Sequence, residues 1–449
     1  MDGESSTNPG LTIKDNIARN LLINGADYCW REAHSPGYVT ALHNGTADYN
    51  TGILAVGSVL GIPWYVDWVL DGPVSIYNML ANNIDRDGNY FETSASYSEH
   101  TRELYITTAE FLYNLRNSKY PKGINLYDDP QFQRLCIDAI SKNSLAGHLP
   151  QNGDSGPDMS VDRVGSIKFQ PTEFSRTLRF YARCSDEEKR REYAQALFDM
   201  AQGDPNKKVS GLWPVLSVEK IQGYDQSKVS SRYRDSEVLG GKGIALLRSG
   251  QSPDERGIFL RYGATLNHGH RDEMAIMIFS KGREVSFDPG YYNTHYRFGW
   301  TNQTISHLTV TVNERSQLAV DAPGGSLNLS VARDGLSMVD ASDEGAYRSE
   351  AIDMYRRAVA LIDVSDKDSY IIDIFRVDGG HTRDYSFHAQ GTGFKVEGLN
   401  LSEPEKKGSL ASPDYEWGTK LRGDYQIIGQ ERMGFYWTPP GEGYGFLSG

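Results

Sequence analysis

Apolar positions change their spacing near residue 235. Before it they recur at helical intervals over Ile17 to Trp30, Gly52 to Leu60, Tyr65 to Leu70, Val74 to Ile84, Arg102 to Leu115, Pro130 to Ser144, Glu173 to Cys184 and Asp186 to Ala201. Gly, Pro and Asn turns separate these stretches, which predicts stacked helical hairpins. After it, short β-branched runs alternate with turns: Gly243 to Arg248, Gly257 to Tyr262, Met274 to Ser280, Glu284 to Phe287, Leu308 to Val312, Ala358 to Val364, Ser369 to Val377 and Tyr385 to His388. Helices first and strands second suggest an α+β multidomain chain. We expect an N-terminal incomplete α/α toroid over 1–234, a C-terminal antiparallel β-sandwich over 235–449, and the active cleft where the two meet.

A length of 449 residues is too long for one ordinary core and supports this two-domain expectation. The formal net charge of −13 disfavours nucleic acid, whose binding rests on a basic face. It also opposes a polyanionic sugar at long range, so an enzyme acting on one must gather positive charge locally. Arg31, Arg86, Arg102, Arg271 and Arg297 are candidates, each with the plain alternative of a solvated surface residue. Cys29, Cys136 and Cys184 lack metal-ligand spacing, and their odd number argues against a disulfide framework, so they read as packing residues. No apolar run approaches a membrane span, and Met-Asp-Gly-Glu-Ser-Ser at the start has no signal-peptide pattern. That start suits a cytoplasmic protein or a mature or trimmed chain.

Chemistry concentrates in Asn267-His268-Gly269-His270-Arg271-Asp272, then Phe287-Asp288-Pro289-Gly290, then His307-Leu308-Thr309-Val310-Thr311-Val312. The segments 274–287 and 308–312 read as strands. Residues two apart in a strand point the same way, so His268 and His270 are expected on one face, with a hairpin returning Asp288 beside them. We assign His270, Asp288 and His307 to a divalent metal. Two imidazoles and a carboxylate suit zinc, with a cation such as calcium as the alternative. Histidines satisfied in a polar loop are the bland reading.

These segments resemble the β-domain signature of the heparinase II/III-like polysaccharide lyases and oligoalginate lyases. The resemblance runs through His268 to Asp272, Gly282-Arg283, Asp288 to Gly290, and Ser306-His307-Leu308-Thr309-Val310. Leu308 departs from the usual Asn, and Arg271 and Glu273 flank Asp272 where small residues often sit. In the helical half, Asp87-Gly88-Asn89-Tyr90-Phe91-Glu92-Thr93-Ser94-Ala95-Ser96-Tyr97 resembles the family's Asp-Gly-x-x-x-Glu-x-Ser-x-x-Tyr element, which leads into a helix and carries the tyrosine taken as catalytic. His43-Asn44-Gly45-Thr46, with Asn50 also eligible, resembles the motif that holds the substrate carboxylate. The stretch before residue 235 is short for the family's toroid, so the resemblance implies a fragment or a compact member.

The implied reaction is β-elimination on an acidic polysaccharide or oligosaccharide, leaving a 4,5-unsaturated uronate end. Removing the C5 proton requires neutralising the adjacent carboxylate, a task for His43 and Asn44 in a water-poor site. The resemblance implies Tyr97 as acid, and often as acid and base, with His268 assisting. It also implies a structural metal that pins the His268 loop, and a periplasmic or secreted location. Tyr292, Arg297 and Arg102 are candidate substrate contacts. Two rival readings stay open. One is an α/α-toroid glycoside hydrolase drawing a carboxylate pair from Asp87, Glu92, Asp154 and Glu173; the other is a noncatalytic carbohydrate-binding protein.

Overall fold

Most helices and strands form where the two periodicities place them, but the compact units they build are not two consecutive stretches. The structure is a computed structural model that describes residues 2–156, 167–168, 171–209, 220–227, 235–251, 253–286, 288–290, 301–318, 323–389, 395, 397–398 and 400. One unit holds Met1–Phe91, Tyr97–Ile140 and Gln170–Ser230; the other holds Glu92–Ser96, Ser141–Phe169 and Ser231–Gly449.

The first unit is helical. A helical stretch over 13–33 passes through a π-helical segment, Ile17–Ile23, and is followed by α1 (Asn44–Leu60), α2 (Pro63–Leu70) and α3 (Ile76–Asn83). Then come α4 (Ala95–Asn114), whose first two residues belong to the second unit, a stretch over 130–143, α5 (Pro171–Arg183) and α6 (Glu187–Ala201). Helix starts are capped as the sequence allows: the Ser75 hydroxyl accepts from the Asn78 amide, and the Asp186 carboxylate accepts from the Glu188 and Lys189 amides. The apolar stripes converge on one core that includes Leu54, Val69, Ile106, Phe132, Phe180 and Leu197. Each such side chain contributes about 1.5–3 kcal/mol by burial. A short helix, Pro36–Ala41, escapes the periodicity because none of its residues is buried, so it has no stripe to read.

The second unit is built of antiparallel strands. β1 (His148–Leu149) pairs with β2 (Ile167–Lys168), and β3 (Glu237–Leu239), β4 (Ile244–Ser249), β5 (Arg256–Arg261), β6 (Ile276–Ser280) and β7 (Arg283–Ser286) form a five-stranded sheet in chain order. β8 (Val310–Val312) pairs with β13 (Arg383–Tyr385), and β9 (Ser326–Arg333), β10 (Leu336–Ser342), β11 (Ile352–Asp363) and β12 (Ser369–Gly379) form a four-stranded meander. In the middle of the five-stranded sheet β4 and β5 are buried on both faces, which is why they read as apolar runs rather than alternations. Ala245, Leu247, Ile258 and Leu260 face a core shared with Val339, Val359 and Leu361 of the meander. Ile244, Leu246, Phe259 and Met277 face the other way, toward Leu145.

A buried cation ties this core to the loops that carry the histidines. Arg357 on β11 is fully buried, donates to the carbonyls of Met274 and Leu308 at 2.6 Å each, and pairs with Asp373 at 2.9 and 2.7 Å. Met274 closes the loop that contains His268 and His270, and Leu308 follows His307. The guanidinium fork can satisfy two backbone carbonyls and a carboxylate at once, which a lysine cannot.

Candidate active site and metal centre

A loop, rather than a strand, presents the paired histidines. β5 ends at Arg261 and β6 begins at Ile276, so His268 and His270 lie between strands. His268 has φ +57°, a left-handed conformation that costs a non-glycine residue about 1–2 kcal/mol. Strand alternation therefore does not bring the two rings together.

Hydrogen bonds inside the loop hold it in shape. Arg261 pairs with Asp272 at 2.5 Å and donates to the Thr265 hydroxyl at 2.8 Å. That hydroxyl donates to the His270 carbonyl at 2.9 Å, and the Thr265 amide donates to Glu273 Oε1 at 2.9 Å. Gln317 closes the far end, accepting from the Glu273 amide and donating to its carbonyl, both at 2.8 Å.

A second layer comes from distant stretches of the same unit. The Thr93 hydroxyl accepts from the Leu266 amide at 2.9 Å, the Thr93 amide donates to the Asn267 carbonyl at 3.1 Å, and the Asn267 side chain donates to Glu92 Oε1 at 3.0 Å. Residues 152–156 brace the same strip. The Asn152 side chain donates to the Thr93 carbonyl at 2.7 Å, the Ser94 hydroxyl to the Asp154 carbonyl at 2.7 Å, and the Ser96 amide to the Ser155 hydroxyl at 3.1 Å. Gly153, at φ +66°, passes so close that a Cβ there would lie 2.4 Å from the His268 carbonyl oxygen. Only glycine fits that approach.

The Asp154 carboxylate meets both rings, with Oδ2 3.1 Å from His268 Nδ1 and Oδ1 3.1 Å from His270 Nε2. Burial alone would raise this carboxyl, but the hydrogen bonds from the two histidines outweigh it and hold it below the ordinary carboxylate range. His268 keeps 26% of its side chain exposed, whereas His270 is buried.

His270, Asp288 and His307 form a buried group whose ligand atoms lie within 4.8 Å of one another. The Asp288 carboxylate is 2.9 Å from His307 Nδ1 and 3.9 Å from His270 Nδ1, and the Gly290 amide donates to it at 2.9 Å. His270 Nδ1 and His307 Nε2 are buried with no hydrogen-bond partner among the described residues. Each such nitrogen costs about 1–3 kcal/mol unless something accepts its lone pair or proton. Two imidazole nitrogens left over beside a buried carboxylate fit a divalent cation, and the group could hold one. The ring nitrogens opposite them meet Asp154 and Asp288, the carboxylate partners that metal-binding histidines generally use to fix their tautomers. Leu308, the departure from the family pattern, packs into the shared core, which explains an apolar residue there.

The remaining predicted residues fall as follows. Tyr97 is the third residue of α4, in its first turn, and is half-buried. His43 is the cap of α1: its Nδ1 accepts from the Gly45 amide at 3.1 Å, with Asn44 Oδ1 3.3 Å away and the Tyr38 ring against its face. With Nδ1 accepting, the His43 proton sits on Nε2, where it can donate. Asn50 is buried and donates to the Val74 carbonyl at 2.5 Å, a packing role. Arg102 is buried too; it donates to the Leu135 carbonyl at 2.8 Å and pairs with Glu99, so its guanidinium is committed inside the helical unit. Tyr292 and Arg297 lie outside the described residues. The sequence offers Asp154 only as a hydrolase carboxylate, since nothing in the run Asn152-Gly153-Asp154-Ser155 announces a histidine partner more than a hundred positions away.

Residues 243–420 match the family described as heparinase II/III-like, C-terminal. No curated protein matches the sequence. Among solved structures, the fold is similar to a heparinase III, with 13% identity and a TM-score of 0.51 over 84% of this chain and 57% of that one. It is also similar to a mutant of the heparan sulfate lyase HepC from Pedobacter heparinus, at 16% identity and TM-score 0.50 over 82% and 56%. A heparinase III with methylated lysines gives 13% identity and TM-score 0.50 over 80% and 48%. The chain spans about half the length of these structures, and at such identities the likeness is one of fold. Mixed helices and antiparallel sheets accompany this likeness of fold, and the His-Gly-His loop lies inside the residues that match the heparinase II/III-like C-terminal family.

Proposed function

We propose that the chain is a polysaccharide lyase that cleaves a uronic-acid-containing polysaccharide or oligosaccharide by β-elimination, with the helical unit as an incomplete α/α toroid and the strand-built unit as a β-sandwich. The observation that carries this reading is the Asp154-held pair of imidazoles, one partly exposed and one turned toward a buried metal-binding group, within the heparinase II/III-like residues. His268 has the exposure to meet a substrate, and its hydrogen bond to Asp154 leaves Nε2 as the basic nitrogen. Tyr97 protonates the leaving O4 and, depending on the C5 stereochemistry, takes the C5 proton as well. Glu92 and Thr93 are bonded to the histidine loop, and they belong to the same Asp-Gly-x-x-x-Glu-x-Ser-x-x-Tyr element that ends in Tyr97, which supports its assignment. His43 and Asn44 neutralise the uronate carboxylate by hydrogen bonding. Sugar contacts through Tyr292 and Arg297, and an extracytoplasmic location, belong to the same proposal.

His270, Asp288 and His307 would hold zinc, which supplies a fixed positive charge and cross-links the histidine loop to the sheet. The hydrolase reading loses support because Glu92 and Asp154, two of its four carboxylates, are committed to Asn267 and to the histidines.

The test is ultraviolet absorbance during digestion of alginate, heparan sulfate and other uronate polymers, because elimination creates a double bond conjugated to the carboxylate. Wild-type protein should generate that absorbance on at least one polymer. Tyr97→Phe, which removes only a hydroxyl, should abolish it while leaving binding nearly intact. Chain shortening without new absorbance, or full turnover by the Phe variant, refutes the proposal.

A further inference from the structure

One carboxylate, that of Asp154, is shared between the two histidines. It is 7% exposed, and each oxygen meets a different ring at 3.1 Å. An ionised carboxylate only accepts hydrogen bonds, so both facing nitrogens must carry their protons. When neutral, His268 is then the Nδ1–H tautomer with Nε2 carrying the lone pair, and His270 the Nε2–H tautomer with Nδ1 toward Asp288, 3.9 Å away. The backbone is held with the same care. The Asp154 amide donates to the His268 carbonyl at 2.8 Å, the Ser94 hydroxyl donates to the Asp154 carbonyl at 2.7 Å, and the missing Cβ of Gly153 admits the contact. The left-handed backbone of His268 needs such support, since its intrinsic preference lies elsewhere.

We infer that Asp154 is a positioning residue that sets both tautomers at once, so that the nitrogen His268 offers to substrate and the nitrogen His270 offers to a metal depend on one group. Occupancy of the metal group and presentation of His268 are thereby coupled through a single side chain. The part that concerns turnover rests on the lyase reading; the part that concerns tautomers and metal does not.

The test uses the full chain and Asp154→Asn. The amide keeps the shape but offers one acceptor and one donor, so one of the two rings must give up its N–H toward residue 154. If the donor faces His268, its proton moves to Nε2, and kcat should fall by about 10²–10⁴ with KM near wild type and zinc retained. If the donor faces His270, zinc affinity should fall by about 10–100-fold. Selective ¹⁵N labelling of histidine reads both rings directly. In wild type the neutral His268 should show a protonated Nδ1 and an unprotonated Nε2, and at least one ring should change in the variant. The inference is overturned if wild-type His268 carries its proton on Nε2, a measurement that needs no variant. It is equally overturned if the Asn protein keeps wild-type ring signals, zinc affinity and kcat. Should wild type yield no unsaturated product from any polymer, the lyase reading fails, and the ring signals and zinc titration still decide the role of Asp154.

Discussion

Asp343→Asn should flatten the alkaline loss of stability. Asp343 and Glu273 are both buried, and their carboxyls interact inside the β-rich unit. Asp343 Oδ1 accepts from the Ala346 amide at 3.1 Å and Glu273 Oε1 from the Thr265 amide at 2.9 Å, while Oδ2 and Oε2 have no donor among the described residues. Burial, then the neighbouring Glu273, pushes the Asp343 carboxyl up to about 8; burial raises Glu273 as well, against the pull of Arg261. One proton is therefore held by the pair at neutral pH. In the unfolded chain an aspartate titrates near 3.9, so the folded state binds this proton more tightly. Its contribution is fully present below about pH 4 and is lost as pH rises through about 8. Linkage with a folded value of about 8 gives a loss of about 2 kcal/mol between pH 6 and pH 8 from this group alone. The asparagine amide can donate to Glu273 without titrating, and its oxygen can still accept from Ala346. Denaturant unfolding of both proteins at pH 6, 7 and 8 is the assay, because groups that do not interact with residue 343 cancel in the difference. The variant should gain about 2 kcal/mol on wild type across that window. Parallel pH profiles for the two proteins would refute the shared proton.

Replacing His270 by Ala should abolish stoichiometric metal binding, measured by elemental analysis after equilibration with zinc. At zinc about a hundredfold above the dissociation constant, wild type should be about 2.7 kcal/mol more stable than after chelation, and the variant should show no such difference. Arg357→Ala strips a donor from the Met274 and Leu308 carbonyls and leaves Asp373 unpaired, so it should destabilise by about 3–5 kcal/mol in denaturant unfolding. Arg357→Lys should recover only part of that loss, because an ammonium cannot span both carbonyls and the carboxylate; full recovery would contradict the fork geometry.

Much of the fold was legible because burial imposes a period. The helical stretches over 13–33, 130–143 and 187–201 follow apolar stripes that converge on one core, and β4, β5 and β6 follow runs buried on two faces. The strands that the apolar pattern does not mark include two whose burial leaves no simple period. β9 is exposed along nearly its whole length, and β10 buries Ser337, Asp340 and small Ala341 alongside Val339, a mixture with no clean alternation.

The site was legible to the extent that one peptide segment contains its parts. His268, His270, Asp288 and His307 could be named because their residue types announce ligation and proton transfer, and the structure groups three of them. Strand alternation does not produce that grouping, because it does not operate in a loop where His268 is left-handed. What aligns the rings is a carboxylate brought in from 114 and 116 positions away, on a segment whose glycine exists to let two backbones touch. Arg102 shows the converse. A charged residue near a catalytic motif invites a substrate role, yet its guanidinium is spent on a carbonyl and Glu99 within the helical unit. Residue type thus identifies which groups can do chemistry, while long-range hydrogen bonding decides which of them are left with a nitrogen or oxygen to do it.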